Sequence, residues 1–198
     1  MTKKGRYALF CEDEFLFSVD DETYIEFSLF TGKELDETQL MALRARTDYQ
    51  KAKSKAFEFL AARSHSKKEL TDKLSSRYDR FTAGAVTDEI EAKGYLDDAS
   101  YAGDCVEYVI KTRQMSEKAA FHYLSEKGID RETAKQALEG YGSGDRARAK
   151  ELIERNYKEK TQTPEGRRRV FASLARRGFN TSDIKSVLEE NADPEWDE

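Results

Sequence analysis

Arg167-Arg168-Arg169 and Arg176-Arg177 place five guanidinium groups within eleven residues, and Glu165 is the nearby acid. Guanidinium forks donate paired hydrogen bonds to phosphate or carboxylate oxygens. A cluster this dense and this poor in acids therefore predicts contact with an anionic or carboxylate-bearing partner. Cations recur upstream, at Arg63, Lys67, Lys68, Lys73 and Arg77 and again at Arg113, Lys118 and Lys127. There, Glu69, Asp72, Glu117 and Glu126 are interleaved with them. The expectation for those two stretches is a solvated, salt-linked face.

The other reactive residue types do not assemble into a site. His65 falls at a helix junction, where a capping or surface role is expected, and His122 between Phe121 and Tyr123 reads as half-exposed. Cys11 and Cys105 lie in different expected elements, which predicts two reduced thiols in a cytoplasmic protein. Gly140, Gly142 and Gly144 lack the lysine and helix context of a phosphate loop and read as a flexible linker. With neither a metal-ligand spacing nor a nucleophile and base, the chain is expected to be non-enzymatic and without metal or cofactor.

The elements that must position the cations repeat. Ser66-Lys-Lys-Glu-Leu-Thr-Asp-Lys-Leu74, Ser116-Glu-Lys-Ala-Ala-Phe-His-Tyr-Leu124 and Arg167-Arg-Arg-Val-Phe-Ala-Ser-Leu174 superimpose, with the closing leucines 50 residues apart. Such a period signals stacked helical units that present a long binding surface. The expected fold is mainly α: three tandem three-helix repeats in an elongated array behind a small antiparallel β-rich lobe. The expected boundaries are a β-rich lobe with a short helix over 1–48, repeats over 49–96, 97–140 and 141–190, and an acidic tail over 191–198. In the lobe, the segments Arg6–Cys11, Phe15–Val19 and Thr23–Phe30 read as a three-stranded meander between acidic turns. Asp36 and Gln39 have capping-box spacing. Tyr101, Cys105, Tyr108 and Val109 form the expected buried face that opens repeat two. Tyr78 stands where the other repeats have Gly128 and Gly178, and the segment to Thr82 predicts a longer turn in repeat one. The glycine linker makes repeat three the expected movable arm, and Trp196 in the tail is a candidate docking anchor.

Charge follows the same division. Residues 1–48 hold 6 basic and 11 acidic side chains, residues 49–188 hold 28 basic and 22 acidic, and residues 189–198 hold 6 acidic and no basic ones. A basic middle between acidic ends is a statement about partners. No apolar stretch is long enough to span a membrane.

Ala62-Arg-Ser-His-Ser-Lys-Lys-Glu-Leu70 with Lys73-Leu74, Gly94-Tyr-Leu-Asp-Asp-Ala-Ser-Tyr-Ala102, Lys127-Gly-Ile129 and Leu174-Ala-Arg-Arg-Gly-Phe179, in that order, resemble the RecX family over about residues 50–190. The β-rich segment is similar to an N-terminal extension carried by some members. The resemblance implies a cytoplasmic, monomeric modulator of the RecA recombinase, acting in homologous recombination, DNA repair and the SOS response. It implies binding along the groove of the RecA–DNA filament, with restraint of ATP hydrolysis and strand exchange. The cations named above are then candidate contacts for RecA or for single- or double-stranded DNA. A direct DNA-binding helical array and a generic protein-interaction adaptor are the other readings.

Overall fold

The computed structural model describes residues 5–141 and 144–190, so Trp196 and the acidic tail lie outside the described residues. The chain divides into two compact units, residues 1–96 and 97–198.

The first unit opens with an antiparallel hairpin, β1 (Arg6–Cys11) and β2 (Glu14–Asp20). The third expected strand is not one: Asp21–Glu26 is a short helix, α1. Asp20 caps it, its Oδ1 accepting from the Thr23 amide at 2.8 Å. The alternation over residues 23–30 looked strand-like, but the acidic cluster before it is also a helix-start signal, and the local cap decided the outcome. The lobe's small core joins Val19, Leu29 and Leu43, with Leu9, Phe17, Tyr24, Phe27 and Leu35 around it.

Leu43 belongs to α2 (Glu37–Ala62), a single helix of 26 residues. Its start is the expected reciprocal cap. Asp36 Oδ1 accepts from the Gln39 amide at 2.7 Å, and Gln39 Oε1 accepts from the Asp36 amide at 3.1 Å. No break occurs at residue 48, where the sequence suggested a short helix giving way to a second. The first half of α2 closes the lobe, and its second half, through Ala52 and Ala56, enters the core of repeat one. Alanine at those positions lets α3 (Lys67–Ser75) and α4 (Arg80–Ala92) approach closely, and Leu70, Leu74, Val86 and Ile90 fill the space between. Burying each such side chain contributes about 2 kcal/mol.

The turn between α3 and α4 is shorter than its counterparts, not longer. Asp79 already caps α4, five residues after Leu74, with its Oδ1 2.9 Å from the Thr82 amide. Asp130 and Asn180 cap the corresponding helices six residues after Leu124 and Leu174. The extra residue there is a left-handed glycine, Gly128 (φ 79°) or Gly178 (φ 87°). Tyr78 fits because its turn needs no left-handed residue.

The second unit holds α5 (Asp98–Glu107), α6 (Glu117–Glu126), α7 (Arg131–Leu138), α8 (Asp145–Asn156), α9 (Pro164–Arg176) and α10 (Thr181–Glu190). Asp97 caps α5, and a π turn, Tyr108–Thr112, extends that helix. Val106, Val109 and Ile110 are buried there, while Tyr108, expected inside, is 49 % exposed. Repeat two packs around Ala102, Val106, Leu124 and Ala134, and repeat three around Ile153, Leu174, Ile184 and Val187.

Direct bonds tie repeat three to repeat two. The Ser116 amide donates to the Arg177 carbonyl at 2.9 Å, and the Glu117 amide donates to Asp145 Oδ1 at 3.1 Å. Gly178 sits against the start of α6 so closely that a Cβ there would lie 2.6 Å from Ser116 Oγ. A movable arm is not what these contacts build, whatever the glycines beside them allow. Cys11 is exposed, Cys105 is buried, and neither forms a disulfide among the described residues.

Candidate interaction surface

The middle helix of each repeat begins at a hydroxyl cap. Ser66 Oγ accepts from the Glu69 amide at 3.0 Å, Ser116 Oγ from Ala119 at 3.1 Å, and Thr163 Oγ1 from Gly166 at 3.1 Å. In repeat three the cap has moved back three residues, and Pro164 takes the first helical position. Buried pairs then fix each helix's rotation: Leu70 and Leu74, Ala120 and Leu124, Val170 and Leu174. Two residues before each pair come Lys68, Lys118 and Arg168, about 200° round the helix from the buried stripe. All three are exposed. The recurrence of these cations at one station is thus a direct consequence of the repeated apolar pattern.

The thirteen sequence-selected cations separate into two groups. Arg63 is held by both oxygens of Glu69, at 2.9 and 2.7 Å, and by the Ser64 carbonyl. Lys67 bridges Asp88 and Glu91 at 2.7 and 2.6 Å, which raises its pKa. Lys68 reaches Asp72 at 2.6 Å, one turn along α3. Lys73 lies over the Phe59 ring and donates to His65 Nε2 at 2.7 Å. In repeat two, Lys127 packs over Tyr123. In repeat three, Arg169 pairs with Glu165, and Arg177 donates to Tyr157 Oη and Ser173 Oγ, both at 2.9 Å. That contact, with the Ser173 hydrogen bond leading, lowers the Tyr157 pKa. Arg177 is thereby a framework residue.

Arg77, Arg113, Lys118, Arg168 and Arg176 are exposed and form no ion pair among the described residues, and Arg167 is half-buried without one. The expected salt-linked face therefore describes repeat one well but repeat two only in part. An unpaired exposed cation has the least to lose on meeting an anion, because no intramolecular pair must first be broken.

His65 departs from expectation. It is 3 % exposed, its Nδ1 sits 2.9 Å from the Arg63 carbonyl, and its Nε2 accepts from Lys73. Burial lowers its pKa, so the ring is neutral with the proton on Nδ1. It joins the end of α2 to α3. His122 is exposed, 3.4 Å from Glu126.

Phe81, 86 % exposed at the first turn of α4, escaped the sequence reading. Its signal was an aromatic lying off the spacing of Val86 and Ile90, next to the exposed Arg77 and Arg80. Among the described residues, no group of acids, histidines and cysteines is placed to hold a metal, and no helix is long and apolar enough to cross a membrane.

Residues 145–188 match the family model described as the RecX third three-helix domain. The regulatory protein RecX of Bacillus subtilis is 30% identical over 189 residues, covering 93% of this chain and 72% of that protein. That of Bacillus velezensis is 32% identical over 192 residues, with the same coverage. A crystal structure of a regulatory protein RecX superimposes with a TM-score of 0.72 at 23% identity, over 96% of this chain and 95% of the other. RecX from Lactobacillus salivarius gives a TM-score of 0.57 at 23% identity, over 73% of this chain and 96% of its own.

Proposed function

The chain belongs to the RecX family of regulatory proteins, and from that membership we propose that it is a non-catalytic modulator of RecA. It binds the RecA–DNA filament along its groove and restrains ATP hydrolysis and strand exchange. The observation that carries this reading is the station shared by Lys68, Lys118 and Arg168, one exposed cation per repeat at a 50-residue spacing. A polymer offers the same surface again and again, and a binder with repeated stations meets it at several points. Individually weak contacts then combine through effective concentration.

The three repeats are the proposed contact units. Each has a hydrophobic core of its own, so each presents its outward cations on a fixed support. Arg77, Arg113, Arg167 and Arg176 extend the proposed contact set. Arg63, Lys67, Lys73, Lys127, Arg169 and Arg177 have partners within the chain and serve it less directly, and Lys68 must first release its exposed pair with Asp72.

Co-sedimentation with RecA filaments preformed on single-stranded DNA tests the proposal. The chain is expected to pellet with filaments and to saturate, and to shift the same DNA alone only weakly. Recovery of the chain in the supernatant at all filament concentrations would sink the proposal. Equal binding to naked DNA, falling with salt at a log–log slope of about −0.7 per phosphate contact, would assign the cations to DNA instead.

A further inference from the structure

The hairpin tip carries surface chemistry that neither the lobe's core nor the repeats use. Its two-residue turn is Glu12-Asp13, with φ of 48° and 69°, the left-handed pair that suits the twist of an antiparallel hairpin. The turn brings Phe10 opposite Phe15, their ring centroids 5.7 Å apart and nearly edge to face. These rings are 62 % and 56 % exposed, while Leu9, Phe17 and Val19 of the same strands serve the lobe's core. The register slips between Leu9 and Phe10, so the tip does not follow the alternation that packs the rest of the hairpin. Glu12, Asp13 and Glu14 lie between the two rings in sequence, all exposed and without an ion pair among the described residues.

Two exposed aromatic rings next to a run of three carboxylates fit guanidinium groups. Carboxylates take the fork's hydrogen bonds, and the rings attract the cation over their faces. Phosphate is the wrong ligand, since three carboxylates repel it. The matching surface is on this same chain. Arg168, Arg169 and Arg176 project from α9 within about a 100° arc, the first and last about 12 Å apart along the axis. Arg168 and Arg176 form no ion pair among the described residues, and the Arg169–Glu165 pair is 77% exposed on both sides. We propose that the β1–β2 tip of one copy docks on the α9 arginine face of a second copy. The contact joins two different surfaces, so copies associate head to tail, in a closed ring or an open chain. A tip buries only a few hundred Å², below the roughly 1,200 Å² of a stable interface. The contact is therefore weak in dilute solution, and because it uses Arg168 and Arg176 it competes with the filament contact proposed above. It requires neither RecA nor DNA, so its test stands apart from that of the proposed function.

Sedimentation equilibrium of the full chain over about 10–500 µM, at roughly 0.05 and 0.5 M salt, reads the contact. At low salt the average mass is expected to rise with concentration above the 22.7 kDa of one chain, and to return to it at high salt. Two reversals test the pairing: Glu12→Arg with Glu14→Arg at the tip, and Arg168→Glu with Arg176→Glu on α9. Each variant alone is expected to stay monomeric, and an equimolar mixture to associate again, because opposite charges then face each other. Phe10→Ser with Phe15→Ser, which leaves charge unchanged, is expected to weaken association about tenfold, the order of a central aromatic contact. Far-UV circular dichroism checks that each variant is folded. A single-chain mass at every concentration overturns the proposal, including the case where the tip folds onto its own chain. Association that survives both reversals, or a mixture that fails to restore it, does the same.

Discussion

Replacing Gly178 with alanine probes how repeat three is fastened to repeat two. Two costs arise. The backbone at φ 87° is left-handed, which disfavours a Cβ by about 1–2 kcal/mol. The smaller conformational freedom of unfolded alanine offsets about 0.5–1 kcal/mol of this. The second cost is contact: the new Cβ would lie 2.6 Å from Ser116 Oγ and 2.8 Å from Ala119 Cβ. Ser116 must then give up its cap on the Ala119 amide, worth about 1 kcal/mol, or the helices must part at a cost of about 1–3 kcal/mol. The total is about 3 kcal/mol. Gly94→Ala is the matched control, since Gly94 has a similar φ of 76° but open space around it. It should cost about 1 kcal/mol, the strain alone. Urea unfolding gives both numbers. Hydrogen exchange at the Ser116 and Ala119 amides locates the Gly178→Ala effect, because the two units need not unfold together. Equal costs for the two alanine variants, with Ser116 still protected, would refute the reasoning that this contact locks the repeats.

Three further outcomes follow from the geometry. Glu89 receives hydrogen bonds from Lys53, Lys93 and Tyr49, with the Lys53 bond foremost, and these hold its pKa down at about 2. A carboxyl group depressed on folding stabilises the protein above its unfolded value near 4.5. Stability should therefore fall as pH drops from about 5 towards 2, and Glu89→Gln should flatten that slope in urea midpoints. For His65, burial favours the neutral ring. Its stabilisation is accordingly complete above the ordinary value of 6.5 and declines as pH falls below it. Nitrogen chemical shifts should report the Nδ1–H tautomer near neutral pH, and a shift pattern showing the proton on Nε2 would overturn the bonding described. Arg63→Ala should lower stability by about 1 kcal/mol through loss of a two-pronged ion pair. Arg168→Ala should change stability by less than about 0.5 kcal/mol, so unfolding curves separate the internally paired cation from the unpaired one.

How much of this was legible in the sequence depended on whether neighbours in the chain decided the outcome. The cap at Asp36, the serine-led segments from Ser66 and Ser116, and the leucines at 74, 124 and 174 are local signals, and each falls at the helix it marks. Residues 23–30 misled because a strand-like alternation competed with a three-acid helix cap, and the cap prevailed. At Tyr78 the segment to Thr82 suggests a long turn, whereas Asp79, three residues before Thr82, has the capping chemistry and starts the helix. Partners distant in sequence stayed hidden. Nothing near Arg177 predicts that its carbonyl accepts from Ser116, and nothing near Lys67 points to Asp88 and Glu91. Composition marked the cations as a class, but only the folded chain separates Arg63, bound to Glu69, from Arg168, which has no ion pair among the described residues.

RecA's single-strand-DNA-dependent ATP hydrolysis, titrated with this chain, tests the proposed regulation most directly. Hydrolysis is predicted to fall with added chain to a low plateau. A folded variant carrying Lys68→Ala, Lys118→Ala and Arg168→Ala should need at least about tenfold more protein, an equivalent of about 1.4 kcal/mol in affinity. Hydrolysis unchanged at saturating chain would contradict the account.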